Sequence, residues 1–342
     1  MKEAELYRKM PGEAVSCILC QRRCYLKDGE TGFCHVRKND SGTLQALNFG
    51  KCVSYAVDPI EKKPFYHFCP GSPVFSFAAP GCNFRCEHCQ NWEISQPKII
   101  MGQEIPPEEL VGMALRSGSE GIAYTYTEPT IFYEYAHETS KLARKKGLYN
   151  VFVSNGYMTP DAIKEMDWLD AARIDLKAFD DKFYRKVCGE AHLEPVLKSI
   201  GLLHKKMHVE IITLLIPTLN DSDGEIRALS KWVRKLDKNI PLHFTAYYPA
   251  NRMTIPPTPV ETLDRAREIA MGEGLNYVYT GNRPGDEGEN TFCPKCGFKA
   301  IERRGMEMTA NRLANGEKCP KCKAKIPVVL DWRKGGKEKS KG

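Results

Sequence analysis

The chain has 342 residues, of which 42% are hydrophobic, and its formal net charge is +7. This length suits one core domain of roughly 200–250 residues with small appendages. The longest apolar runs, such as residues 211–216, are far too short to span a bilayer, and the charged N-terminus MKEAELYRKM lacks the apolar stretch of a signal peptide. We therefore expect a soluble, cytoplasmic protein with no membrane-spanning segment.

Much of the positive charge lies at the end of the chain. Residues 333–342, RKGGKEKSKG, contain five basic residues and one acidic residue, a net +4 that leaves +3 for the rest of the chain. We interpret this segment as a solvated, disordered tail. A weak nucleic-acid contact is the alternative, and we do not expect nucleic acid to be a main partner.

Eleven of the fourteen cysteines fall into three groups with tight local spacing. Such spacing points to metal sites in a reducing compartment rather than to disulfides. The groups are Cys17, Cys20, Cys24 and Cys34; Cys82, Cys86 and Cys89; and Cys293, Cys296, Cys319 and Cys322. The remaining three cysteines are Cys52, Cys69 and Cys188.

The first region, residues 1–70, has short apolar pieces and many turn residues, and we expect it to be too small to bury a core unaided. Its four grouped cysteines have the spacing C-x2-C-x3-C-x9-C, and a metal site there would supply the missing stability. Four thiolates bind zinc or a second [4Fe–4S] cluster. The sequence slightly favours zinc, because nothing else in it implies an electron relay.

Residues 71–284 alternate β-rich apolar runs with amphipathic segments of helical periodicity. The predicted strands lie in residues 74–80, 121–127, 149–155, 171–177, 208–217, 241–248 and 276–281. Repeated β-then-α units predict a parallel sheet with right-handed crossovers, and the near-continuous apolar strands suit a sheet buried on both faces. We predict an α/β fold, a partial (β/α)6 TIM-like barrel, with a doubly wound sheet as the alternative.

The central cysteines lie in the stretch APGCNFRCEHCQNWEIS, which directly follows the first predicted strand and has the spacing C-x3-C-x2-C. Three thiolates can bind three irons of a [4Fe–4S] cluster and leave the fourth iron without a protein ligand. An open position is typical of a catalytic metal centre, and loops after barrel strands build the active-site face. The amino and carboxylate groups of S-adenosylmethionine (SAM) could chelate that iron.

Two other interpretations of this stretch stay open. The three cysteines together with His88 could bind zinc, although C-x3-C is unusual beside the commoner C-x2-C knuckle. Alternatively, the cysteines could be buried structural residues, which fits poorly with a loop rich in Gly, Asn and Arg.

The C-x3-C-x2-C motif after a first strand resembles the radical SAM superfamily. The whole chain resembles its AmmeMemoRadiSam-type enzymes, which are related to pyruvate formate-lyase activating enzymes. The matching stretches cover nearly the full length: CILCQRRC…GFC, PGCNFRCEHCQNWEIS, AYTYTEPTIFYEY, FVSNGYMTP, IDLKAFDDKFYRKVCG, TLLIPTLNDS, LHFTAYYP and CPKCG…CPKC.

This resemblance implies an enzyme whose [4Fe–4S] cluster reductively cleaves SAM to methionine and a 5′-deoxyadenosyl radical, which abstracts hydrogen from an unidentified substrate. It implies an external electron donor such as ferredoxin or flavodoxin. By resemblance only, it also suggests Memo-like and AMMECR-like protein partners and a protein substrate.

The resemblance also implies contacts to SAM. Glu128 stands where the superfamily has its GGE motif and would accept the SAM ammonium, although the two glycines are replaced here. Ser154 or Asn155 would contact the ribose, and Asp175 would orient Lys177 towards the SAM carboxylate. Two further residues assigned to SAM are His88, near the adenine, and His243.

Each of these residues also has a structural interpretation. Glu128 could be a capping carboxylate, and Ser154 and Asn155 could belong to an ordinary Asn-Gly turn. Asp175 and Lys177 could form a buried ion pair. His243 could be a satisfied core histidine. Cys188 could take part in redox or radical chemistry, but a buried thiol that acts as a small hydrophobe is the commoner role.

Residues 285–332 contain the knuckles Cys293-x2-Cys296 and Cys319-x2-Cys322, which predict a zinc ribbon, with a rubredoxin-like iron as the alternative. Four thiolates leave no open position, so we expect a structural or partner-docking role.

We therefore predict a radical SAM enzyme with [4Fe–4S], SAM and zinc as cofactors. A glycyl radical enzyme activating enzyme is the alternative within this class, and the extra cysteine set before the central triplet weakens it. Outside this class, the alternatives are a structural zinc-ribbon protein that binds nucleic acid and an assembly protein with zinc at every site.

Overall fold

The computed structural model describes residues 1–314 and 316–335. Most of the predicted tail, residues 336–342, lies outside the described residues, while the preceding residues Arg333–Gly335 belong to a short helix. Within the described part of the chain, no helix has the length and apolar character needed to cross a membrane.

Short antiparallel strands build the N-terminal region. They are β1 (Lys2–Glu3), β2 (Tyr7–Lys9), β3 (Val15–Cys17), β4 (Tyr25–Leu26), β5 (Arg37–Asp40), β6 (Thr43–Ala46), β7 (Lys51–Cys52) and β8 (Ser54–Pro59). Strands β1, β6 and β5 form one three-stranded sheet, and β2, β3 and β4 form another. Strand β8 instead joins the edge of the eight-stranded sheet described below, so the predicted region 1–70 is hydrogen-bonded to the core. The division at residue 70 stays a prediction.

An eight-stranded sheet forms the centre of the molecule. The strands that follow are β9 (Pro73–Ala78), β10 (Gln103–Glu104), β11 (Gly121–Tyr124), β12 (Tyr149–Ser154), β13 (Ala171–Asp175), β14 (His208–Leu215), β15 (Leu242–Ala246) and β16 (Val278–Gly281). The sheet order is β16-β15-β14-β13-β12-β11-β9-β8, while β10 pairs with β7. The seven strands from β9 to β16 in this sheet are parallel, and each lies in a predicted strand segment. The eighth, β8, is antiparallel.

Helices connect the parallel strands, as the predicted β-then-α order requires. They are α1 (Trp92–Ser95), α2 (Pro107–Arg116), α3 (Tyr133–Lys145), α4 (Pro160–Lys164), α5 (Asp181–Val187), α6 (Leu193–His204), α7 (Asp223–Leu236) and α8 (Val260–Gly272), with 3-10 turns at Ile60–Lys62, Pro129–Phe132 and Glu287–Glu289. Side-chain caps fix the starts of α4, α5 and α7: Thr159 accepts from the backbone of Ala162, Asp180 from that of Lys182, and Ser222 from that of Glu225. The fold is therefore α/β.

The core occupies both faces of the sheet. On one face, Phe77 and Ile122 belong to a large apolar cluster that includes residues of the helices. On the other face, Phe68 packs with Val74 and Val151, so the segment before β9 covers the sheet there. Burial on both faces explains why the strands read as continuous apolar runs.

The N-terminal region is joined to the core by a buried ion pair. Arg37 Nη2 lies 2.5 Å from Glu134 Oε2, and Nη1 lies 3.1 Å from Glu134 Oε1. Both side chains are almost fully buried. This bidentate geometry fixes β5 against α3.

The C-terminal segment contains β17 (Thr291–Phe292), β18 (Lys299–Arg304), β19 (Glu307–Asn311) and α9 (Trp332–Gly335). Arg303 anchors it to the core. Its Nη2 donates to the Tyr66 carbonyl over 2.7 Å, and its guanidinium lies 4.1 Å from the centre of the Tyr66 ring. The fully buried Glu61 carboxylate lies 3.5 Å away.

We expect Arg303→Leu to lower the free energy of unfolding by about 3–5 kcal/mol, because it leaves the buried Glu61 carboxylate without its cationic partner. Chemical denaturation monitored by circular dichroism measures this loss. Arg304→Leu is the matched control, since Arg304 is exposed at the end of the same strand. If the two variants lose equal stability, Arg303 does not anchor the segment.

Candidate active site

One cavity lies at the carboxyl ends of the parallel strands. Loops after β9, β11, β12 and β13 line it, with Thr245 from the end of β15 and Asn282 just after β16. The predicted site residues in its wall are Cys82, Cys86, His88, Cys89, Glu128, Ser154, Asn155, Asp175 and Lys177. Residues far apart in the sequence therefore meet at the face where βα-barrel enzymes place their active sites.

The cysteine loop is fixed by backbone contacts with the end of α5 and the residues after it. The Arg85 N–H donates to the Cys188 carbonyl over 3.2 Å, and the Glu87 N–H donates to that of Val187 over 3.0 Å. Gly189 has φ +74°, and a Cβ there would lie 2.7 Å from the Arg85 Cβ. Glycine therefore permits the close approach that holds the loop.

The surroundings of the three thiols fit a [4Fe–4S] cluster. The Phe84 N–H donates to Cys82 Sγ over 3.3 Å, and Asn155 Nδ2 lies 3.9 Å from the same sulfur. Cys89 Sγ lies 3.3 Å from the Ser95 hydroxyl. Hydrogen bonds to sulfur stabilise thiolate ligands and help to set the potential of a cluster.

Burial and nearby charges shift the pKa values of these thiols in different directions. Burial, together with the Glu128 carboxylate, raises the pKa of Cys82. A hydrogen bond with Cys188 lowers the pKa of Cys86, and the Lys177 charge adds to this. Cys188 itself is fully buried and belongs to the apolar core cluster.

Glu128 organises the ends of two neighbouring strands. Its Oε1 accepts from the Thr130 N–H (3.0 Å), the Thr130 hydroxyl (2.6 Å) and the Ser154 hydroxyl (2.7 Å), and its Oε2 accepts from the Asn155 N–H (2.8 Å). The carboxylate therefore caps the 3-10 turn that follows, as the structural interpretation expected. It also lines the cavity, where Oε2 retains capacity for one more donor.

Asp175 ends β13, Lys177 comes two residues later, and both lie in the wall of the same cavity. Lys177 Nζ lies 2.9 Å from Asp175 Oδ2, and Arg173 contacts the other oxygen of that carboxylate. Burial lowers the pKa of Lys177, but the neighbouring thiols outweigh it and leave a net increase. Lys177 is therefore a cation in the cavity wall, with Asp175 fixing its position.

The two predicted histidines lie in different places. His88 is buried in the cavity wall, and its Nδ1 has no hydrogen-bond partner among the described residues. Burial and the Lys177 charge lower its pKa to about 3, so the ring is neutral at pH 7. The unpartnered nitrogen fits a contact with a bound ligand.

His243 does not line the cavity. Its Nε2 lies 2.8 Å from Glu210 Oε2, and its ring packs between those of Tyr66 and Tyr279. Thr245, two residues further along the same face of β15, is in the cavity wall instead. The geometry therefore gives no support to a SAM contact from His243, and a satisfied core histidine accounts for its surroundings.

Sequence reasoning missed a charged group at one side of the cavity. Lys62 and Lys63 donate to Asp58 over 2.7 and 2.6 Å, and the Tyr126 hydroxyl donates to it over 2.8 Å. These bonds lower the pKa of Asp58 against the opposing effect of burial. Arg173 completes the group. The signal in the sequence, DPIEKK, was no more than a short charged run before the first predicted strand.

The four C-terminal thiols form a compact group. Cys293 Sγ lies 3.5 Å from Cys322 Sγ, and Cys296 Sγ lies 3.6 Å from Cys319 Sγ. In residues 1–314 and 316–335, this is the one group of three or more ligand atoms that all lie within 4.8 Å of one another. Such spacing fits one tetrahedral metal ion. In each of the other two cysteine sets, no three sulfurs all lie within 4.8 Å of one another.

Comparison with known proteins identifies the family to which the chain belongs. The model of the radical SAM superfamily matches residues 77–229. The chain is 46% identical over 336 residues to an uncharacterized protein of Methanocaldococcus jannaschii, covering 96% of this chain and 100% of that protein. It is 25% identical over 168 residues to the pyruvate formate-lyase-activating enzyme of Clostridium pasteurianum, covering 46% of this chain and 67% of that enzyme.

The chain therefore belongs to the radical SAM superfamily, with homology to activating enzymes. Because this superfamily is made up of enzymes, the protein is an enzyme. Membership implies a [4Fe–4S] cluster and SAM as cofactors, and the residues of the cavity fit both.

We expect Glu128→Gln to lower the free energy of unfolding by about 1–3 kcal/mol. The amide nitrogen of glutamine cannot accept a hydrogen bond, so at least one group that donates to the Glu128 carboxylate would lose its acceptor. Urea denaturation measures the change. Glu120→Gln is the control, since that side chain is exposed immediately before β11, the strand that precedes Glu128. Equal stability of the two variants would show that the carboxylate does not organise these strand ends.

Proposed function

We propose that this chain is a SAM-cleaving radical enzyme of the AmmeMemoRadiSam type, with a partial (β/α)6 barrel and a C-terminal zinc ribbon. The observation that carries the proposal is the meeting of three cysteines with the Glu128 carboxylate and the Lys177 ammonium in the wall of a single cavity. When bound, the [4Fe–4S] cluster and SAM would supply a 5′-deoxyadenosyl radical that abstracts hydrogen from a substrate, for which the resemblance suggests a protein.

The chain's own residues would bind and orient SAM. Lys177 presents a positive charge for the carboxylate of SAM, and the remaining acceptor position of Glu128 suits its ammonium. Because Lys177 and Glu128 carry opposite charges, they would fix the orientation of the methionine part of SAM. Ser154 and Asn155 are held by Glu128, so they are ordered for a contact with the ribose.

The surrounding residues would set the charge and polarity of the site. Asp175 holds Lys177 in position. The neutral His88, whose Nδ1 has no hydrogen-bond partner among the described residues, would lie beside the adenine. Burial of the cysteine loop limits the access of water to reactive species. Each of these residues acts by position and charge, while the cofactors carry the radical chemistry.

We also propose the partners that the resemblance implies and the division of the chain that the sequence pattern predicts. An external donor such as ferredoxin or flavodoxin would supply electrons, and Memo-like and AMMECR-like proteins would be partners. Residues 1–70 and 285–332 would be metal-binding appendages of the barrel, residues 71–284.

We expect Cys86→Ala to abolish the formation of 5′-deoxyadenosine, because it removes one of three thiolates that would hold the cluster. The measurement is liquid chromatography of the products after anaerobic reconstitution with iron, sulfide, SAM and a reductant. Cys296→Ala is the control, since it belongs to the C-terminal group and should mainly reduce stability. A native chain that retains no iron and forms no product would refute the proposal.

A second candidate function is the activation of a glycyl radical enzyme, favoured by the likeness to the pyruvate formate-lyase-activating enzyme. This function predicts that the reconstituted enzyme with SAM produces a glycyl radical on an added pyruvate formate-lyase-type protein. Electron paramagnetic resonance detects that radical directly. Active 5′-deoxyadenosine formation without a glycyl radical on that protein would instead favour another substrate.

A further inference from the structure

The four N-terminal thiols share a second cavity, which no step of the proposed SAM chemistry uses. Cys17, Cys20 and Cys34 are buried, and Cys24 is partly buried. Apolar side chains complete much of the wall, namely Leu19, Leu26 and Ile131. The set is therefore a buried group of sulfur ligands around a common space.

The spacing of these sulfurs argues against a single ion. Zinc–sulfur bonds of about 2.3 Å hold four thiolates roughly 3.8 Å apart, as at the C-terminal group. The N-terminal thiols do not form a group within 4.8 Å, although every residue from 17 to 34 is described. In a [4Fe–4S] cluster each thiolate binds a different iron, so the sulfurs lie further apart. The observed arrangement fits the cluster better.

An unpartnered donor lies in the same wall. Arg37 Nε is buried and has no hydrogen-bond partner among the described residues, while the other two nitrogens of the guanidinium contact Glu134. A buried N–H group without a partner is rare. The sulfide or thiolate of a bound cluster would supply the missing acceptor.

The second cavity lies next to the central cysteine loop. Asn83 is in its wall, while the preceding residue, Cys82, lines the cavity at the carboxyl ends of the parallel strands. A Cβ on Gly81 would lie 3.2 Å from the Cys34 carbonyl oxygen, so the two cysteine segments are in direct backbone contact. Arg22 links them further by donating to the Asn83 carbonyl over 2.9 Å.

We propose that Cys17, Cys20, Cys24 and Cys34 hold a second [4Fe–4S] cluster that relays electrons to the central one. A low-potential donor of the ferredoxin or flavodoxin class would give this cluster one electron. The cluster would then pass that electron to the central cluster and return to its oxidised state, with no bond made or broken. The relay rests on the proposed function, because its electron acceptor is the central cluster. The metal site at the N-terminal thiols does not depend on that function.

The metal content of two variants tests the site. We expect the triple variant Cys82→Ala/Cys86→Ala/Cys89→Ala, reconstituted anaerobically, to keep about half of the wild-type iron and acid-labile sulfide, because four N-terminal ligands remain. Cys52→Ala, a buried cysteine outside all three sets, should keep all of both. A triple variant with no sulfide and a second zinc per chain would overturn the proposal.

The electron source tests the relay. We expect Cys20→Ala/Cys34→Ala to lose 5′-deoxyadenosine formation at least tenfold with reduced ferredoxin or flavodoxin, yet to keep it with dithionite, which can reduce the central cluster directly. Equal activity of variant and wild type with the protein donor would overturn the relay. Loss of product from the wild type with every reductant would instead refute the proposed function and leave the iron and sulfide result standing.

Discussion

The parallel hydrogen bonding of seven consecutive strands is the constraint on which this site depends. Parallel strands in chain order place every following loop at the same edge of the sheet. The cysteine loop after β9, Glu128 after β11 and Lys177 after β13 meet there for that reason. No single loop contains the site, so its geometry depends on the register of the whole sheet.

Buried polar groups attach the N-terminal region and the C-terminal segment to the core and fix strand ends at the site. The Arg37–Glu134 ion pair holds the N-terminal region against α3, and Arg303 holds the C-terminal segment against Tyr66. Glu128 performs a similar task inside the site by accepting hydrogen bonds from two strand ends. Each of these carboxylates or guanidiniums is costly to bury alone, so its partners must be present when the chain folds.

The sequence predicted the sheet well because apolar runs and helical periodicity are local signals. All seven parallel strands lie in predicted segments, and the strand-end residues Glu128, Asn155 and Lys177 reach one cavity. The antiparallel β8 and the Asp58 group were missed, since their place depends on contacts between distant segments. For His243, the resemblance suggested a SAM contact, whereas the side chain contacts Glu210, Tyr66 and Tyr279 and does not line the cavity.

Cysteine spacing along the chain identified three sulfur sets, and among the described residues only the sulfurs of the C-terminal set all lie within 4.8 Å of one another. The central claim of this account is that SAM binds directly to a cluster held by Cys82, Cys86 and Cys89. The most direct measurement is electron nuclear double resonance on the reduced protein with SAM whose carboxylate carries a magnetic oxygen isotope. A hyperfine coupling between that oxygen and the cluster is predicted, and a cluster signal that SAM leaves unchanged would contradict the claim.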